Sequence, residues 1–176
     1  MLGQVLQDRG LTYELAVIGG GALAMIGLID RSTTDLDVVA LVHVGSISSA
    51  EPLPTPLVEA VTDVANELSL NRQWLNSGPA SMIRFGLPEN FLSRCTRAEF
   101  ATLTILFASR LDQIHFKLYA AADDRPGGKH HKDLEALEPT VTELVQAATW
   151  ARTHDASPGF DLIVRQVLAT FGVTEG

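Results

Sequence analysis

The chain has one cysteine, Cys95, among its 176 residues, so it can form no intramolecular disulfide, and no second cysteine stands at metal-ligand spacing. Long apolar runs are also missing. The longest, residues 15–18 and 38–42, fall far short of the ~20 residues needed to cross a bilayer. The N-terminal residues do not combine a basic segment with a following apolar stretch, and the expectation is a cytoplasmic protein with no membrane partner. Basic charge is scarce as well. Thirteen Lys and Arg face 21 Asp and Glu, giving a net charge of −8, which argues against broad, non-specific binding to nucleic-acid phosphates. A local basic site stays open at Arg125 to Lys132 and at the scattered Arg72, Arg84, Arg94 and Arg97, beside the plainer reading of ordinary solvated charge.

The residues present suit one compact domain, since 46% of them are hydrophobic and the length falls in the usual single-domain range. Leu2 to Asp8 reads as a short helix, and Tyr13 to Ile18 as a strand ending in three glycines. A helix is expected over Ala22 to Ile29, then a polar turn, then a buried strand from Leu36 to Val42. Gly45 to Pro56 reads as loop. Thr55 before Pro56 starts a helix to about Ser69, with Leu57, Val61, Val64 and Leu68 inward. The middle third is irregular, followed by a strand at Ala101 to Ala108 and a helix from Ser109 to Ala122. Helical pattern resumes near His131. A capping box at Thr140 and Glu143 and an N-cap at Ser157 open the last two helices. The fold class expected is α/β (α+β): a small mixed sheet flanked by helices, with a core over 1–138 and a helical extension over 139–176 packed on it.

One stretch concentrates the chemistry. Gly19, Gly20 and Gly21 stand where a strand gives way to a helix, so backbone can approach a ligand closely and N–H groups can receive phosphate oxygens. Asp35 and Asp37 follow at the start of the next strand. Alternation puts both carboxylates on one face and Leu36 and Val38 on the other. Two such carboxylates repel, and a divalent cation relieves the repulsion; Mg2+ held there takes phosphate oxygens as further ligands. The plainer reading makes them turn and cap residues.

The segment Gly19 to Leu23, followed by the run Arg31-Ser32-Thr33-Thr34-Asp35-Leu36-Asp37, resembles the signature of the polymerase-β-type nucleotidyltransferase superfamily. The Arg-x-Thr-x-Asp-x-Asp form is similar to the AbiEii and MenT branch of toxin-like nucleotidyltransferases and their uncharacterised relatives. Phe116 to Ala121 and His130 to Leu134 look like that branch's later Lys helix and Asp helix start. The resemblance covers about residues 13–43 and 103–138. It implies a Mg2+-dependent transfer of a nucleoside monophosphate from an NTP to a hydroxyl acceptor, such as a tRNA end, a protein or a small molecule, with an antitoxin as a further partner. By position, Gly19, Gly20 and Gly21 would hold the triphosphate and Asp35 and Asp37 the metal. Lys117 would pair with phosphate, Asp133 would orient Lys117, and Arg31, Ser32, Thr33 and Thr34 would shape the turn and contact nucleotide.

Several alternatives stand beside these roles. Lys117 also reads as a stem passing an apolar helix face, and Asp133 equally as a residue favoured at a helix start. His130 and His131 are neighbours whose side chains diverge, with no third ligand evident, which disfavours a zinc site. The glycines also fit a dinucleotide fingerprint, but Asp35 and Asp37 come at the wrong end of the second strand for a ribose contact. The superfamily often supplies a third carboxylate from a later strand, and Ala101 to Ala108 contains no acidic residue. A non-catalytic nucleotide-binding or partner-regulating module is therefore the second hypothesis.

Overall fold

A computed structural model describes residues 1–29, 32–124 and 127–174. It is a mixed α/β structure that groups into two compact units, residues 1–109 and 110–176. The helices at Arg110–Ala122 and Lys129–Ala136 are thus grouped with the C-terminal helices.

The first unit is built on a six-stranded mixed sheet. Helix α1 (Leu2–Asp8) precedes β1 (Tyr13–Ile18), which runs directly into α2 (Gly19–Met25). Strand β2 (Leu36–His43) turns back through β3 (Ser46–Ser49), and α3 (Thr55–Leu68) follows. Strand β4 (Leu75–Asn76), a 3-10 helix (Gly78–Phe85), α4 (Phe91–Arg94), β5 (Thr96–Phe100) and β6 (Leu103–Phe107) complete the unit. The strand order is β3-β2-β1-β6-β5, with β4 joining β2. Strands β1 and β2 are antiparallel, whereas β1 and β6 are parallel. Strand β2 therefore meets β3 along Ala40 to His43 and β4 at Leu36 and Asp37.

Packing follows the apolar spacing of the helices. Leu2 and Leu6 of α1 and Leu57, Val61 and Val64 of α3 gather with Leu15, Val17, Val38 and Ile105 of the sheet in one core. Each such fully buried aliphatic side chain contributes about 1.5–3 kcal/mol.

Four expectations about elements are corrected. Helix α2 starts at Gly19 rather than Ala22 and ends at Met25, so Ile29 lies beyond it. Gly45 to Pro56 contains β3, an edge strand whose four residues are all exposed; with no buried face it carries no hydrophobic alternation to read. Thr55 is the first residue of α3, Pro54 precedes it as the cap, and no side chain caps this end. Leu68 is 50% exposed, because α3 finishes there and Ser69 turns into the left-handed region.

The second unit holds α5 (Arg110–Ala122), α6 (Lys129–Ala136), α7 (Val141–His154) and α8 (Pro158–Thr170). The guanidinium of Arg110 donates to the carbonyls of Leu137 and Glu138 at the end of α6 and to Glu143 in the first turn of α7. This charge-assisted contact holds the Glu143 carboxyl below its ordinary range. Trp150 of α7 meets Phe116 of α5 edge-to-face at 5.4 Å. The capping box at Thr140 and Glu143 is formed, and Ser157 caps α8 through the Phe160 N–H. Thr140→Ala removes an acceptor for the Glu143 N–H and should lower stability by about 1 kcal/mol, read from a urea unfolding curve.

Candidate functional site

The start of β2 is held from three sides. The Leu36 N–H donates to the Trp74 carbonyl at 2.6 Å, fixing this end of the strand against the segment leading into β4. The backbone carbonyl of Asp35 lies over Gly21, where a Cβ would stand 2.2 Å from it. Gly19 has φ +82°, and a Cβ there would stand 2.3 Å from Asp37 Oδ2. Any larger residue at 19 or 21 would thus push α2 away from the two aspartates. The observed work of these two glycines is close approach of helix to strand.

Strand pairing aims the carboxylates. The register between β1 and β2 shifts at Ala16 and Val17, a bulge that brings Asp37 opposite Ile18 and beside Gly19. Asp35 is exposed and Asp37 half-buried, and both line one polar cleft of about 280 Å3 together with Asn71, Gln73 and Asn76. Val38 lies in the core on the opposite face, with Leu36 packed against it, as alternation requires.

Asn76 is a site residue that the sequence did not reveal. It stands beside Asp37 in the parallel pairing of β2 and β4, and its Nδ2 donates to Asp37 Oδ1 at 3.0 Å. Its own Oδ1 accepts the Gly78 N–H at 2.8 Å, which sets the amide with its donor toward Asp37. A strand of two residues carries no periodicity, so only the Asn-x-Gly turn signal was available. Strand β6, which contains no acidic residue, pairs with β1, whereas β4 pairs with β2 at Leu36 and Asp37 and places an amide there.

Ser32 and Thr34 are exposed and Thr33 half-buried in the coil before β2. Gly20 is buried within α2. Arg31 lies outside the described residues, as does Arg125 of the basic segment. In the second unit, Lys117 of α5 and Asp133 of α6 are brought together: Nζ donates to Oδ2 at 2.7 Å, with side chains only 5% and 4% exposed. This is the contact that an orienting role for Asp133 requires, and it also solves a structural problem, because a buried ammonium without its carboxylate costs several kcal/mol. Asp133 lies inside α6 rather than at its start, since the helix begins at Lys129.

A glycine-opened helix thus presses on the start of β2, with Asp35 just before the strand and Asp37 within it. The chain belongs to the family described as nucleotidyltransferase of unknown function (DUF6036), which matches residues 2–136. No curated protein and no solved structure matches the chain. The nucleotidyltransferase family match spans the whole first unit after Met1 together with α5 and α6, and so includes both the aspartate cleft and the Lys117–Asp133 pair. Among the described residues no helix is long and apolar enough to cross a membrane.

Two measurements check this geometry. Gly19→Ala should cost roughly 1–3 kcal/mol through the left-handed φ and the clash with Asp37, and Asn76→Ala about 1 kcal/mol through two lost hydrogen bonds, both read as lowered melting midpoints. The second concerns His130, whose Nδ1 is buried without a hydrogen-bond partner among the described residues. Burial, then the charge of Lys117, holds the His130 ring below its ordinary value of 6.5. Both folded and unfolded chains carry a neutral ring above that value; as the pH falls below it the unfolded chain takes up the proton first, so stability is lost on acidification. The melting midpoint should therefore fall more steeply below about pH 6.5 in the wild type than in His130→Gln; equal slopes would remove the assignment.

Proposed function

We propose that the chain is a Mg2+-dependent nucleotidyltransferase that moves a nucleoside monophosphate from an NTP to a hydroxyl acceptor. The observation that carries this reading is the pair Asp35 and Asp37 on the wall of one polar cleft, in a member of a nucleotidyltransferase family. The donors offered are carboxylate oxygens, the ligands a hard cation prefers, and Mg2+ commonly takes one or two carboxylates plus substrate phosphates. Asp35 and Asp37 would hold it, and when bound there it would neutralise charge on the phosphate oxygens.

In the transfer, the acceptor oxygen forms a bond to the α-phosphorus while the bond from that phosphorus to the bridging oxygen breaks. Pyrophosphate leaves with the electron pair, and the hydroxyl proton passes to water. The chain's own part is positioning. Asn76 holds one oxygen of Asp37, Gly19 leaves room for the other, and the Trp74 carbonyl holds the backbone of Leu36 between the two aspartates. The amides of Asn71, Gln73 and Asn76 give the cleft polar walls without positive charge. The toxin-like branch is the finer form of this proposal; it rests on the run Arg31 to Asp37 and on the later Lys117 and Asp133.

An amide rather than a carboxylate beside Asp37, together with the lack of an acidic residue in Ala101 to Ala108, favours a second reading, a nucleotide-binding module without turnover. Calorimetry with each of the four NTPs, with and without Mg2+, combined with a pyrophosphate-release assay, separates the two. The proposed enzyme should bind at least one NTP only with Mg2+, and Asp35→Asn and Asp37→Asn should each weaken that binding at least about tenfold. Binding without pyrophosphate release from any tested acceptor supports the module. No binding of any NTP contradicts both.

A further inference from the structure

The polar cleft shares a wall with a second concavity. A cavity of about 360 Å3 opens beside it, within the range of about 300–1,000 Å3 typical of small-molecule pockets. Thr34, Asp35 and Trp74 line both spaces. Leu36 turns its side chain into the cavity while Asp37 turns into the cleft, so the alternation of a single strand separates an apolar chamber from a polar one. The chamber's floor comes from the sheet, through Leu75, Ile105 and Phe107, and Met1, Met25 and Phe100 stand at its mouth, 59%, 64% and 45% exposed. Trp74 is held in place, since its Nε1 donates to the Val61 carbonyl at 3.1 Å.

We propose that this cavity is the acceptor subsite, taking a small hydroxyl compound with a flat apolar body whose hydroxyl lies toward Asp35. The inference rests on the nucleotidyltransferase reading and gives it a substrate class. Attacking and leaving oxygens lie roughly in line on opposite sides of the phosphorus under attack, so the acceptor must reach the metal-binding carboxylates from the side away from the polyphosphate. With the amide-lined cleft on one side of Asp35, the apolar cavity is the space on the other. A nucleobase fits it less well, because its ring nitrogens and exocyclic groups demand partners when buried, and the lining is mainly Leu, Ile, Met, Phe and Trp, with Thr33, Thr34 and Asp35 as its hydroxyl and carboxylate groups. The same demand applies to a phosphate-bearing RNA end.

The three methionines make the test direct. Met1 and Met25 line the cavity, whereas Met82 lies in the 3-10 helix Gly78–Phe85, outside its lining. In full-length protein carrying 13C-methyl methionine, 2-naphthaleneethanol is titrated to about 1 mM, alone and with Mg2+ and the α,β-methylene analogue of an NTP that calorimetry shows to bind. The signals of Met1 and Met25 should move saturably and that of Met82 should not, whether or not the nucleotide analogue is present. Met25→Trp, at an exposed position on the rim, should weaken the alcohol at least about tenfold, read at Met1, with the melting midpoint unchanged. Absent shifts, equal movement of Met82, or displacement of the alcohol by the nucleotide analogue each overturn the acceptor subsite, the last by making the cavity a base pocket. Saturable alcohol binding in a protein that binds no NTP overturns the acceptor role through the nucleotide reading, leaving the cavity a ligand site of another kind.

Discussion

Two atoms that are absent from the side chains of α2 govern the site. A Cβ at Gly19 would fall on Asp37 Oδ2, and one at Gly21 on the carbonyl of Asp35. Without them the helix approaches the beginning of β2 to backbone distance, and the aspartates are held by contact with the helix rather than projecting from a free loop. Such an approach has a conformational cost, since glycine loses more freedom on folding than other residues. It is offset by the surrounding structure, because β1 leads straight into α2 and its neighbour in the sheet is the strand that carries the carboxylates. The sheet thus brings helix start and strand start together from both ends.

The electrostatics follow from that contact. Two carboxylates at the head of one strand repel each other, and the structure moderates this by giving Asp37 an amide donor from Asn76. The donor is neutral, so it orients the carboxylate without cancelling its charge. Asn76 is itself oriented by the turn into the 3-10 helix, through the Gly78 N–H. A local turn preference is converted in this way into the orientation of a side chain distant in sequence. In the second unit the opposite solution appears: Lys117 of α5 and Asp133 of α6 pair with each other in the interior.

The apolar cavity and the polar cleft lie along one strand. Side chains of β2 alternate, so residues adjacent in sequence line chambers of opposite character. Asp35, just before the strand and exposed, borders both.

The sequence by itself determined what depends on near neighbours. The strand at Tyr13 to Ile18, the placement of Asp35 and Asp37 in one cleft, the capping box at Thr140 and the N-cap at Ser157 all arise from residues a few positions apart, and each was readable from spacing and side-chain chemistry. Only the tertiary structure decided what depends on distant pairing. That β4 rather than β6 lies next to Asp37, that Asn76 is the side chain bonded to it, that the glycines serve close packing, and that β3 exists as an exposed edge all follow from which strands the sheet places together. Strand order is set by the burial of the whole core, and a segment of two paired residues or four exposed ones carries too little hydrophobic pattern to announce its partner.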